Sequence, residues 1–113
     1  MLSRQSLLLR IFIGENDRHG HVPLYEAIVL KAREKSLAGA TVLRGPMGFG
    51  RKSVIHTAKV LRLSEDLPFV VEIVDREDRI RDFLTDLEGM MGSGLVTLEK
   101  VEVLLYGTET PGD

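Results

Sequence analysis

The chain has 113 residues and a mass of 12.6 kDa, enough for one continuous hydrophobic core and too short for two. A hydrophobic fraction of 43% and a charged fraction of 28% are ordinary for a globular protein and exclude a disordered or membrane-embedded class. Cysteine is absent, which removes disulfides, thiolate nucleophiles and cysteine-ligated zinc, and a formal net charge of −2 argues against a dedicated nucleic-acid binder.

The apolar run near the N-terminus is interrupted by Arg10 and followed by no small-residue cleavage site, so it reads as a strand rather than a secretion signal. Leu7, Leu9, Ile11 and Ile13 fall on one face of that strand, and Leu8, Arg10 and Phe12 on the other. A charged turn over residues 14–21 leads to Pro23, which suits the first turn of a helix because its missing N–H would be unpaired there. Leu24, Ala27, Ile28 and Ala32 make the apolar stripe of a helix running to about Leu37. Gly39 is placed to take the left-handed conformation that ends it, and a second strand follows at 40–44. No stretch approaches the roughly 18 to 20 apolar residues needed to span a bilayer. The chain is therefore expected to be cytoplasmic, without membrane insertion.

The next strand covers 69–74, leaving a connection of about 24 residues, far longer than the usual handful. Asp75 is placed to cap a second helix, in which Ile80, Phe83, Leu84, Leu87 and Met91 recur at helical spacing before Gly92 and Gly94 stop it. In the last strand region the apolar phase is even at Val96 and Leu98 but odd at Val101, Val103 and Leu105, which predicts a bulge or break near Glu99 and Lys100. Strand, helix, strand, long loop, strand, helix, strand is the order of an α+β, ferredoxin-like βαββαβ fold with an antiparallel sheet, over a single domain of residues 1–113. Two helices cover one face of such a sheet. The first and third strands nevertheless carry apolar residues on both faces, so the second face is expected to be covered by copies of the same chain.

The segment Gly45-Pro46-Met47-Gly48-Phe49-Gly50-Arg51-Lys52-Ser53 places free backbone N–H groups at its glycines beside two cations, an arrangement suited to phosphate oxygens. Arg51 between Gly50 and Lys52 breaks the P-loop pattern, and a glycine-rich loop without a ligand is the plainer alternative. Downstream, Arg51, Lys52, His56, Lys59 and Arg62 alternate irregularly with Val54, Ile55, Val60, Leu61 and Leu63. That pattern is open to strand or helix, and to an anion-and-partner surface or a solvated face. His19 and His21, with Glu15 and Asp17 nearby, are too few to fix a metal site. Asp75, Glu77 and Asp78 suit a helix N-terminus better than acid–base chemistry, and Ser53 and His56 lack an orienting third group.

Several stretches, in chain order, resemble the PII-like, or GlnB-like, superfamily of signalling proteins. They are Gly39-Ala40-Thr41, Gly48-Phe49-Gly50-Arg51, His56-Thr57, Leu67-Pro68 leading into Glu72-Ile73-Val74, and Gly92-Ser93-Gly94. Pro23-Leu24-Tyr25-Glu26-Ala27, Leu43-Arg44-Gly45 and Leu63-Ser64-Glu65-Asp66-Leu67-Pro68 are similar to an uncharacterised branch of it, over most of residues 7–106. The resemblance implies a homotrimer whose sheets line a central core, with adenine nucleotides in clefts between subunits. It also implies that the long loop, here 44–66, signals occupancy to a partner protein such as a membrane transport protein, and that the protein binds without catalysing a reaction. By position, Gly48, Gly50, Arg51 and Lys52 are expected near the phosphates, with Gly92 and Gly94 lining the cleft from the neighbouring side. Three features depart from the family pattern. Leu95 stands where a lysine follows the family's glycine turn, residues 107–113 carry no arginine or lysine, and the tyrosines, Tyr25 and Tyr106, lie outside the long loop. The alternative is a metal-binding trimer similar to the copper-tolerance proteins of the same fold, with His19, His21 and His56 as candidate ligands.

Overall fold

The structure is a computed structural model that describes residues 2–49 and 66–112, together with the backbone of 56–57. Strand β1 (Gln5–Gly14) buries Leu7, Leu9, Ile11 and Ile13 on one face and half-buries Leu8, Arg10 and Phe12 on the other, as strict alternation requires. The charged stretch after it is more ordered than a turn: β2 (Arg18–His19) and β3 (Val22–Pro23) pair as a two-rung hairpin. The Asp17 carboxylate closes its entrance by accepting the Gly14 N–H at 2.9 Å.

Helix α1 (Leu24–Glu34) buries Leu24, Ala27, Ile28 and Ala32, with Pro23 as its N-cap rather than within its first turn. It ends at Glu34 rather than near Leu37, and the left-handed residue is Ser36, at φ 59°, not Gly39. Two reversed hydrogen bonds explain why a serine adopts that conformation. Ser36 N–H donates to Arg33 O at 3.0 Å and Leu37 N–H to Ala32 O at 3.0 Å, the Schellman pair, while Leu37 packs back onto the core.

Strand β4 (Thr41–Arg44) is followed by β5 (Met47–Gly48), which pairs with β6 (His56–Thr57) as a second small hairpin. Strand β7 (Pro68–Asp75) alternates half-buried and buried positions along its whole length, placing Phe69, Val71, Ile73 and Asp75 on the core side. Asp75 is therefore the last strand residue and not the cap of α2 (Glu77–Met90), whose N-cap is Arg76. Its carboxylate, 3% exposed, accepts the N–H of Ala38 at 2.9 Å and of Arg76 at 2.7 Å, with Arg79 Nε at 3.4 Å. A buried carboxylate is tolerable because donors surround it. Ile80, Phe83 and Leu87 are the buried stripe of α2, with Leu84 and Met91 packed at its margin. Tyr25 stacks at a tilt on Phe69, ring centres 4.6 Å apart, locking α1 to β7.

Strand β8 (Leu95–Glu102) completes the sheet, in the order β4-β7-β1-β8 with every pairing antiparallel. With two helices on one face this is the expected ferredoxin-like arrangement. The bulge expected near Glu99 and Lys100 is absent: the register runs without a step from Phe12↔Leu95 to Gln5↔Glu102. The change of apolar phase is instead a change of face. Val96 and Leu98 lie opposite Ile11 and Leu9 on the helix side, whereas Val101 lies opposite Ser6 on the other side. That other side is organised in rows. Leu43, Val70, Phe12 and Leu95 form one, Thr41, Glu72, Arg10 and Thr97 the next, and Val74, Leu8 and Glu99 the third.

Candidate ligand-binding site

The ends of the long connection are fixed by the sheet. Gly45 N–H donates to Pro68 O at 2.7 Å, Glu15 N–H to Leu67 O at 2.8 Å, and Asn16 N–H to the Asp66 carboxylate at 2.7 Å. Gly48 lies so close to the Pro68 ring that a Cβ on it would come to 3.0 Å from Pro68 Cγ. The expected phosphate contacts Gly50, Arg51 and Lys52 lie outside the described residues, as do Ser53 and the side chain of His56. Where the described chain stops at this loop, Met47 and Phe49 are exposed at 62% and 67%, presenting apolar surface beside the stem.

Gly92 and Gly94 occupy the turn between α2 and β8. Gly94 has φ +133°, and a Cβ there would stand 2.9 Å from the Phe12 carbonyl oxygen. It must be glycine on both counts. Gly92 faces open space. The structure thus brings Gly48, Gly92 and Gly94 to the same end of the sheet, where β1 and β4 finish and β7 and β8 begin, but to opposite edges of it. Three strand spacings separate β4 from β8, about 14 Å.

The opposite end of the open face holds a hollow of about 610 Å³ floored by Leu8, Val74 and Val101. Tyr106 closes it, its hydroxyl donating to Ala38 O at 2.6 Å, while Leu104 and Leu105 remain more than half exposed. Between these ends, Arg10 Nε donates to Glu72 Oε2 at 2.8 Å and its Nη1 to Glu99 Oε1 at 2.8 Å. The hydrogen bond that Arg10 donates to Glu72, aided by the charge of both carboxylates, raises the guanidinium pKa above its ordinary value. In the sequence Arg10 interrupts an apolar run, and its partners Glu72 and Glu99 lie in strands distant along the chain. The available signal was a charged residue at the same strand phase in two apolar strands, which is the mark of a cross-strand pair.

Asp75 is occupied by Ala38, Arg76 and Arg79, and Asp66 by Asn16. His19 and His21 sit on the β2–β3 hairpin, and among the described residues no three His, Cys, Asp or Glu side chains gather into a metal-sized cluster. Among those residues, too, no helix is long and apolar enough to cross a membrane.

Comparison with known proteins places this geometry. The family model DUF190, described as Uncharacterized ACR, COG1993, matches residues 6–103. The chain belongs to the DUF190 family. A UPF0166 protein of Aquifex aeolicus (strain VF5) is 42% identical over 97 residues, covering 86% of this chain and 91% of that one. Among solved structures, CPII of Thiomonas intermedia K12, a nitrogen regulatory PII-like protein bound to ADP, AMP and bicarbonate, superposes with a TM-score of 0.66 at 15% identity over 88% of each chain. The B. subtilis GlnK–ATP complex does so with a TM-score of 0.53 at 13% identity, over 96% of this chain and 94% of that one. At such identities the likeness is one of fold, and the fold of this DUF190 member is PII-like.

Proposed function

We propose that the chain is a PII-like regulatory protein that works as a homotrimer in the cytoplasm, binds an adenine nucleotide between subunits and presents residues 44–66 to a partner protein. The observation that carries this reading is the placement of the loop stem and the glycine turn at one end of the sheet but at opposite edges. About 14 Å apart within one chain, they are brought together when the β8 edge of one copy meets the β4 edge of the next, a head-to-tail contact that closes into a ring. Apolar rows on the open face supply a reason to associate.

The ADP and AMP held by CPII and the ATP held by GlnK support the choice of ligand. In this reading Gly48, Gly50, Arg51 and Lys52 approach the phosphates from one subunit, and Gly92 and Gly94 line the cleft from its neighbour. Leu95, following that turn, is apolar and exposed, so it adds no charge to a phosphate and the affinity for a triphosphate is modest. The protein acts by binding and not by chemistry, and its partner is a protein such as a membrane transporter. Light scattering after size exclusion tests the assembly: three chain masses are expected, and a monomer at micromolar concentration contradicts it.

A further inference from the structure

Resting on that assembly, we propose that Arg10, Glu72 and Glu99 set the register in which copies of this chain pack their open sheet faces. These are the charged side chains that the four main strands place on that face, and they form one cluster across β7, β1 and β8. Apolar bands border the cluster on both sides. Leu43, Val70, Phe12 and Leu95 lie towards the glycine-turn end, and towards the other lie Leu8 and Val74, in the row of Glu99, with Val101 beyond them.

A face that was apolar throughout could stack on its copy at many offsets with similar energy. The ionic row removes that freedom. Sliding by one side-chain repeat, about 7 Å along a strand, would set the cluster against an apolar band, where the exposed Glu99 carboxylate would lose water and gain no donor from the facing copy. The occupant that fits is a second copy, because the row carries its own complements. Two carboxylates share one guanidinium, Glu99 remains 63% exposed with acceptor capacity to spare, and Thr41 and Thr97 bring hydroxyl donors in the row of Arg10 and Glu72, next to that of Glu99. The cluster contributes specificity more than strength, since ion pairs replaced by apolar groups of similar volume often leave an interface as stable as before.

Native mass spectrometry of the full chain tests the inference with three variants, each checked for folding by circular dichroism. The wild type is expected to give one stoichiometry. The triple variant Arg10→Met/Glu72→Leu/Glu99→Leu is expected to associate into two or more. Arg10→Met alone leaves two carboxylates unpaired and is expected to raise the dissociation constant at least tenfold. Should the triple variant not fold, the isosteric pair Glu72→Gln/Glu99→Gln decides, with the same spread of stoichiometries expected. A wild-type stoichiometry retained by the folded triple variant, or by the Gln pair where that decides, overturns the register role while leaving the trimer intact. A monomeric wild type overturns the assembly itself and the register role with it.

Discussion

Gly94 stands with its Cα so near Phe12 that any side chain would press a Cβ to within 2.9 Å of the Phe12 carbonyl oxygen, which the β1–β8 pairing holds in place. The neighbouring obstacle, Met91 Cε at 2.6 Å, belongs to a flexible side chain and can yield; the carbonyl cannot. Together with φ +133° this makes Gly94→Ala costly. A loss of about 1–3 kcal/mol is expected in urea unfolding, against less than about 0.5 kcal/mol for Gly92→Ala, whose added methyl meets nothing. Equal losses for the two variants would show that the turn relaxes, and that Gly94 is not fixed by its contact with Phe12.

Asp75 joins three parts of the chain that are distant in sequence: the end of β7, the start of α2 and the segment entering β4. Replacing it with alanine removes the acceptor of the Ala38 and Arg76 N–H groups and leaves Arg79 beside an empty site. Each hydrogen bond to a charged group is worth about 1.5–3 kcal/mol, so Asp75→Ala is expected to destabilise the fold by at least that much. Hydrogen exchange at Ala38 is expected to accelerate more than exchange in the centre of β1. A uniform change across the sheet would point to general destabilisation instead.

Lys35 joins the end of α1 to α2, its Nζ lying 3.2 Å from Asp86 and 3.5 Å from Asp82. Hydrogen bonding to Asp86, then the charge of Asp82, raises its folded-state value above the ordinary 10.5. A raised folded-state value means that the bridge stabilises fully below pH 10.5 and is lost as pH rises through the higher folded value. The wild type is therefore expected to lose more of its urea midpoint between pH 8 and pH 11 than Lys35→Met does. Parallel pH profiles for the two proteins would remove the bridge from the account.

The elements that were legible in the sequence are those whose hydrophobic period is set by a single buried face. Leu7, Leu9, Ile11 and Ile13 announce β1, and Ile80, Phe83 and Leu87 announce α2, because burial alone selects them. Features decided by a particular local bond were not legible. Ser36 ends α1 through two reversed hydrogen bonds, which propensity assigns to a glycine. Val101 breaks the phase of β8 without breaking the strand, because the sheet has two apolar faces and either can claim a residue. In the candidate site, Gly94 was readable as a turn glycine. The separation of Gly48 and Gly94 to opposite edges depends on strand order, which no local pattern encodes.

The central claim is nucleotide binding through the loop cations, and isothermal titration calorimetry with ATP, ADP, AMP and cyclic AMP tests it most directly. Saturable binding of at least one of these at one site per chain is expected, with AMP and cyclic AMP competing well against the triphosphate because Leu95 and residues 107–113, which carry no arginine or lysine, add no phosphate contacts. Arg51→Ala is expected to weaken that binding roughly tenfold to a hundredfold, the equivalent of one charge-assisted hydrogen bond. Equal affinity of the wild type and Arg51→Ala would remove Arg51 from the site, and the absence of binding by all four nucleotides would contradict the account.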